Sequence, residues 1–98
     1  MSAYLLIEAG VSDPLAYATC EKIAAAAITQ YGGRYLANGG CSEVLEGKWS
    51  TPEHLAIVEF DSALQAKKFY NSPEYGAARA AREDAAEINI MVVDGLPS

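Results

Sequence analysis

An α+β fold of the βαββαβ type is what this sequence predicts, with four antiparallel strands and both helices on one face of the sheet. Three observations predict it. Short apolar runs of strand length alternate with segments of helical periodicity in the order strand, helix, strand, strand, helix, strand, which is the split βαβ arrangement of ferredoxin-like domains. Right-handed crossovers then put both helices on the same side of the sheet. The 98 residues suffice for one domain, residues 1–98, and their 51% hydrophobic and 20% charged content is that of a folding chain.

Each element has a local reason. Residues 4–9, Tyr-Leu-Leu-Ile-Glu-Ala, form a strand apolar on both faces. Asp13-Pro14 supplies a capping carboxylate followed by proline at the first helical position, so a helix starts there. Tyr17, Cys20, Ala24, Ala27, Ile28 and Tyr31 recur at spacings of three and four, and Gly32-Gly33 ends the helix, which spans residues 14–31. Residues 34–49 read as one extended arm, interrupted at Gly39-Gly40 by a kink or bulge. Residues 50–53 are a turn-rich loop, and residues 55–60 are a strand with Glu59 as its one charge.

Ser62 and Gln65 have capping-box spacing, so the second helix begins at about residue 63 and carries Ala66, Phe69 and Tyr70 on its apolar face. Asn71-Ser72-Pro73 breaks it and restarts another, expected to run to about Asp84 with Arg79 pairing to Glu83 one turn on. Residues 88–93 are the last strand, closed by Asp94-Gly95.

Strand alternation separates Ala56, Val58, Phe60 from Leu55, Ile57, Glu59, and Ile88, Ile90, Val92 from Asn89, Met91, Val93. The wholly apolar sets belong under the helices, which leaves a second face bearing Leu55, Ile57, Met91 and Val93. At about 25 cal/mol per Å², hiding a few hundred Å² of such surface is worth several kcal/mol, and a two-fold homodimer with sheets face to face is the simplest cover.

Charge and length exclude other classes. Seven basic against thirteen acidic residues give a net charge of −6, which repels nucleic acid and anionic membranes. Residues 24–28 and 90–93 are far short of the roughly 20 apolar residues that span a bilayer. The N-terminal residues lack the pattern of a signal peptide, so a cytoplasmic location is expected, with Cys20 and Cys41 as reduced thiols.

Tyr-Gly-Gly-Arg at 31–34, Gly39-Gly40, Leu-Glu-Gly-Lys-Trp at 45–49, Ile-Val-Glu-Phe at 57–60 and Phe-Tyr-Asn-Ser-Pro-Glu-Tyr at 69–75 resemble the domain of unknown function 1330 family over nearly the whole chain. The resemblance implies a ferredoxin-like fold of the dimeric α/β-barrel superfamily and is silent on reaction. It also implies an arginine before the paired glycines. Asn38 stands there instead, which puts in doubt any anion contact that arginine makes.

Some dimeric α/β-barrel enzymes degrade haem with an Asn, Trp and His set, which draws attention to Trp49 and His54. Their spacing argues against it: His54 falls at a strand start rather than on a helix, and Trp49 reads as a loop anchor. Glu8 and Glu59, on strands that neighbour each other in this topology, could form a carboxylate pair for acid or base chemistry, or be solvated or paired to cations. Tyr35, Asn38 and Glu46, near Trp49, line an opening or a strand-edge contact across the dimer. Arg79 and Arg82, with Tyr75 beside them, could grip an anion or be solvated helix charges.

The site expected from the sequence is thus a cleft between sheet and helices binding an apolar or aromatic small molecule without a cofactor. Tyr17, Tyr35, Asn38, Trp49, Tyr70, Tyr75 and Arg79 are its candidate lining, and Glu59, Glu8 and His54 are candidate proton carriers. No nucleophile motif, phosphate loop or metal-ligand spacing occurs, so no metal is expected. A cofactor-independent oxygenase or isomerase is the alternative, and a pocketless interaction module a third.

Overall fold

The computed structural model describes residues 2–39, 42–49 and 54–96. Its elements are β1 (Ala3–Val11), α1 (Pro14–Gln30), β2 (Arg34–Asn38), β3 (His54–Phe60), α2 (Ala63–Tyr70), α3 (Pro73–Ala81) and β4 (Ala86–Asp94). The strands form one antiparallel sheet in the order β2-β3-β1-β4, the ferredoxin-like topology that element order predicted, with the second helix split in two.

The caps read from the sequence form as hydrogen bonds. The Asp13 carboxylate accepts from the Ala16 N–H at 3.3 Å, Ser62 Oγ accepts from Gln65 N–H at 3.0 Å, and the buried Ser72 Oγ accepts from Tyr75 N–H at 3.1 Å while donating to the Phe69 carbonyl. Proline at the first turn of α3 therefore restarts a helix whose cap is paid for by a side chain inside the core. α3 stops at Ala81, three residues short of the expected end, because the chain turns through Asp84 in the left-handed region at φ 63°.

The helix-side face of the sheet is the core. Leu5, Ala56, Val58 and Phe60 are buried there, packed against Cys20, Ala27 and Ile28 of α1, Ala66 and Phe69 of α2, and Tyr75 and Ala78 of α3. Phe69 sits at its centre, with ring centroids 4.8 Å from Tyr75 and 5.4 Å from Phe60. The opposite face carries Tyr4, Leu6, Leu55, Ile57, Met91 and Val93, with no helix or second sheet over it among the described residues. The molecule is accordingly flat, with extents of 39 × 38 × 17 Å, one sheet and one helix layer deep. Met91 is 60% exposed there and Val93 46%.

Gly33 closes the turn from α1 into β2. A Cβ at this position would lie 2.7 Å from two ring carbons of the fully buried Phe60 and 2.9 Å from Ile28 Cγ2. Neither neighbour has room to yield. Gly33→Ala is expected to lower the unfolding free energy by about 1–3 kcal/mol through overpacking, read as a shift of the urea midpoint at unchanged slope.

The arm differs from expectation. It is a strand only over Arg34–Asn38, and residues 42–49 form no strand; Gly40, Cys41 and the loop at 50–53 lie outside the described residues. Gly39, at φ 76°, turns the chain off the sheet, and β2 is an edge strand with no further partner to hold a longer extension. The irregularity in β2 is also elsewhere than at the glycines. Tyr35 pairs with Val58 but Ala37 with Ile57, so Leu36 is the extra residue of a bulge.

Candidate functional site

The Leu36 bulge decides which side chains enter the cleft between sheet and helices. Regular alternation would put Tyr35 and Asn38 on opposite faces. With one residue inserted, Tyr35 opposite Val58 and Asn38 opposite Ala56 both face the helices, while Arg34 opposite Glu59 faces away. His54, at the start of β3, shares that inner face with Ala56 and Val58. The α1 stripe brings Tyr17, Cys20 and Glu21 down from above, and Tyr75 and Phe69 close the back.

These residues, with Ile7, Ile28 and Ile88 as an apolar floor, bound a cavity of about 40 Å³. That is space for about three or four waters, each needing roughly 10–15 Å³. Polar groups gather at its mouth. His54 Nε2 lies 3.1 Å from Asn38 Oδ1 and 3.4 Å from Glu21 Oε2, and the imidazole stands edge-on to Tyr17 with ring centroids 5.6 Å apart.

Burial sets the protonation of the lining. It pushes the Tyr17 hydroxyl far above the ordinary tyrosine value, with Glu21 adding to the effect. Tyr35 is raised by burial and then by Glu21, and Tyr75 by burial against the opposing pull of Arg82. Burial likewise raises the Cys20 thiol, which is free, 4% exposed and only partly offset by Arg82. At neutral pH the cleft therefore presents three phenol donors and a protonated thiol rather than a thiolate nucleophile.

Of the residues singled out from sequence, Tyr17, Tyr35, Asn38, His54 and Tyr75 converge on this cleft. Others do not. Tyr70 is 37% exposed at the outer edge of α2, not on its buried face. Arg79 makes no ion pair with Glu83; its guanidinium stacks 4.3 Å over the Tyr70 ring and donates Nη2–H to the Tyr70 carbonyl at 2.6 Å. The break at Asn71-Ser72-Pro73 folds α3 back so that Tyr70 lies beside Arg79, and the ring face and carbonyl together outcompete an exposed carboxylate. Arg79 Nε and Arg82 Nη1 are buried without an acceptor among the described residues, both guanidiniums lying near the Tyr75 ring.

Trp49 is not packed into this chain's own core. It is 64% exposed and, with Val44, Leu45, Glu46 and Leu55, borders a separate hollow of about 360 Å³ on the uncovered side of the sheet. The carboxylates of Glu8 and Glu59 do not meet either. Glu8 is opposite Leu55, and Glu59 is opposite Tyr4, which sets them four residues apart along the ladder, about 13 Å at 3.3 Å per residue.

Glu59 instead forms an ion pair with Arg34. A hydrogen bond from Ser2, together with Arg34 and the Tyr4 hydroxyl, holds its carboxyl below the usual range despite its partial burial. A carboxyl depressed on folding adds stability above its unfolded titration and loses it as pH falls through the folded one. Glu59→Gln is thus expected to be less stable than the parent at pH 7, the difference in urea midpoint vanishing in strong acid. A constant gap across that range would contradict it.

Sequence reasoning passed over Cys20 and Glu21 as site residues. The signal was there: Tyr17, Cys20, Glu21, Ala24 and Ile28 fall at i, i+3, i+4, i+7 and i+11, so Glu21 is a carboxylate set inside an apolar stripe. Among the described residues no group of three His, Cys, Asp or Glu side chains could hold a metal ion, and no helix is long and apolar enough to cross a membrane.

Comparison with known proteins agrees with this fold. The family model described as Domain of unknown function (DUF1330) matches residues 2–96. A protein of unknown function from Rhodopseudomonas palustris superposes with a TM-score of 0.77 at 18% identity, covering 99% of this chain and 84% of that one. A dimeric protein of unknown function and ferredoxin-like fold from Bacteroides fragilis gives 0.69 at 14% identity over 96% of each chain. SnoaB, a cofactor-independent oxygenase from Streptomyces nogalater, gives 0.69 at 9% identity, covering 99% of this chain and 95% of that one. No curated protein matches.

Proposed function

The chain belongs to the domain of unknown function 1330 family, and from that premise and the cleft's geometry we propose that it is a cytoplasmic homodimer that binds an aromatic or apolar small molecule between sheet and helices, without a cofactor. One observation carries the reading: the buried rings of Tyr17 and Tyr75, the half-buried ring of Tyr35 and the polar trio of Glu21, Asn38 and His54 converge on the same cleft although they come from α1, β2, β3 and α3. Stacking surfaces with a few fixed polar groups are what an aromatic ligand needs. A cavity of about 40 Å³ is smaller than any such ligand, so binding swings the Tyr17 and Tyr35 rings outward.

The homodimer is supported by the bare apolar sheet face and by the dimeric state of the Bacteroides fragilis neighbour. The 17 Å thickness is that of half a sandwich, and a second copy laid face to face supplies the missing layer. Native mass spectrometry of freshly purified protein, with a thermal-shift screen of aromatic metabolites, tests the binding reading. A retained ligand, or a stabilisation that Tyr17→Ala and Tyr35→Ala abolish, is the expected result. An empty protein that no metabolite stabilises refutes it.

A second reading, a cofactor-independent oxygenase or isomerase with His54 as proton carrier, is favoured by the position of that imidazole at the mouth and by the likeness to SnoaB. The depressed carboxyl of Glu59, on the other side of the sheet, suits that role less well.

A further inference from the structure

We infer that Glu21 is a positioning residue that fixes His54 with its proton on Nε2, leaving Nδ1 as the base that removes a proton from an enolisable aromatic ketone held in the cleft; this rests on the enzymatic reading of the site. The geometry is specific to one nitrogen. Both neighbouring oxygens, Asn38 Oδ1 at 3.1 Å and Glu21 Oε2 at 3.4 Å, address Nε2. A carboxylate can only accept, and with the Asn38 oxygen also turned to Nε2 both neighbours favour the hydrogen on that nitrogen. The neutral ring then has its lone pair on Nδ1.

Nδ1 has no hydrogen-bond partner among the described residues, and Gly39 lies beside it without a side chain. A Cβ at that position would sit 3.1 Å from His54 Cε1 and 3.4 Å from Nδ1. The arrangement has the parts of a base and its orienter: a proton acceptor, a carboxylate on the far nitrogen that stabilises the imidazolium once formed, and a neighbouring acid. The neighbouring acid is Tyr17, whose ring abuts His54 and whose hydroxyl burial keeps protonated.

The step balances without an oxidant. The C–H bond beside the substrate carbonyl breaks, its proton goes to Nδ1, and the electron pair moves to the carbonyl oxygen as an enolate that a phenol hydroxyl can meet. Return of the proton to carbon or oxygen completes a keto–enol isomerisation. The aromatic part of the substrate follows from the Tyr17, Tyr35, Tyr75 and Phe69 rings that surround the space.

His54 is the single histidine of the chain, so its ring nitrogens are read without assignment. Long-range proton–nitrogen NMR on the labelled full-length protein at pH 8 is expected to show the Nε2–H tautomer dominant. Its excess over the other tautomer should fall at least threefold in Glu21→Ala and be restored in Glu21→Asp. In parallel, the protein should speed exchange of the phenylpyruvate methylene hydrogens with D₂O. His54→Gln should remove at least 100-fold of that acceleration, and Glu21→Ala about 10-fold in kcat with KM little changed. A ring protonated on Nδ1, or a tautomer ratio that Glu21→Ala leaves alone, overturns the inference whatever the exchange rate. The expected tautomer without accelerated exchange overturns it by removing the enzymatic reading beneath it.

Discussion

Phe69→Ala is expected to remove about 3–5 kcal/mol of unfolding free energy, the largest loss of any single truncation considered, and urea denaturation followed by circular dichroism will measure it. The ring is fully buried and touches every layer that matters. It tilts at 32° against Phe60 of the sheet, at 45° against Tyr75 of α3, and stands edge-on to Tyr31 at the end of α1 with centroids 6.5 Å apart. Its removal leaves a void whose walls cannot collapse together, because Phe60 is pinned by the sheet and Tyr75 by the Ser72 cap. A small domain has roughly 5–15 kcal/mol in all, so the variant sits at the edge of folding. Phe69→Leu keeps most of the volume and should lose much less. A loss below 1 kcal/mol for the alanine variant would mean that the ring is not in the core.

Replacing Ile57 and Met91 together by aspartate is expected to turn a dimer into a folded monomer. Ile57 is opposite Leu6 on β1, and Leu6 is opposite Met91 on β4, so the three form one row across the middle of the bare face. Two carboxylates in that row, each brought against a second copy carrying the same pair, would be desolvated beside like charges. An unpaired ion buried in this way is penalised by several kcal/mol, and the dissociation constant should rise by three orders of magnitude or more. Light scattering at micromolar concentration should then give twice 10.4 kDa for the parent and once that mass for the variant, with unchanged circular dichroism because neither residue faces the helices. A parent chain that is already monomeric at that concentration rules out the face-to-face assembly.

What could be read from the sequence was what local chemistry determines. Asp13, Ser62 and Ser72 announce three helix starts because a cap acts over three residues, and all three hydrogen bonds form. The sorting of Ala56, Val58 and Phe60 under the helices, with Leu55 and Ile57 outside, followed from alternation alone. Register does not follow from it. Glu8 and Glu59 lie on adjacent strands as expected, yet which residue of one strand meets which of the other is fixed by the whole sheet, and it separates them. Arg79 has an acidic residue one turn away in sequence, but the helix break supplies a ring and a carbonyl that are invisible to an i, i+4 count. The chain does turn at Gly39, but a bulge also falls at Leu36, a residue with no turn chemistry of its own, because a bulge answers to the pairing of its neighbours rather than to its side chain.

That bulge makes the inner lining a matter of odd and even. Between Tyr35 and Asn38 the pairing of the intervening residues decides whether the amide looks inward toward the imidazole or outward across the empty side, and no change of residue type is needed to reverse it. A relative of the same length whose edge strand paired without the bulge would keep every familiar side chain and yet turn away the oxygen that faces His54 Nε2. Register here, more than the identity of any one side chain, therefore decides whether the amide at position 38 stands beside that ring.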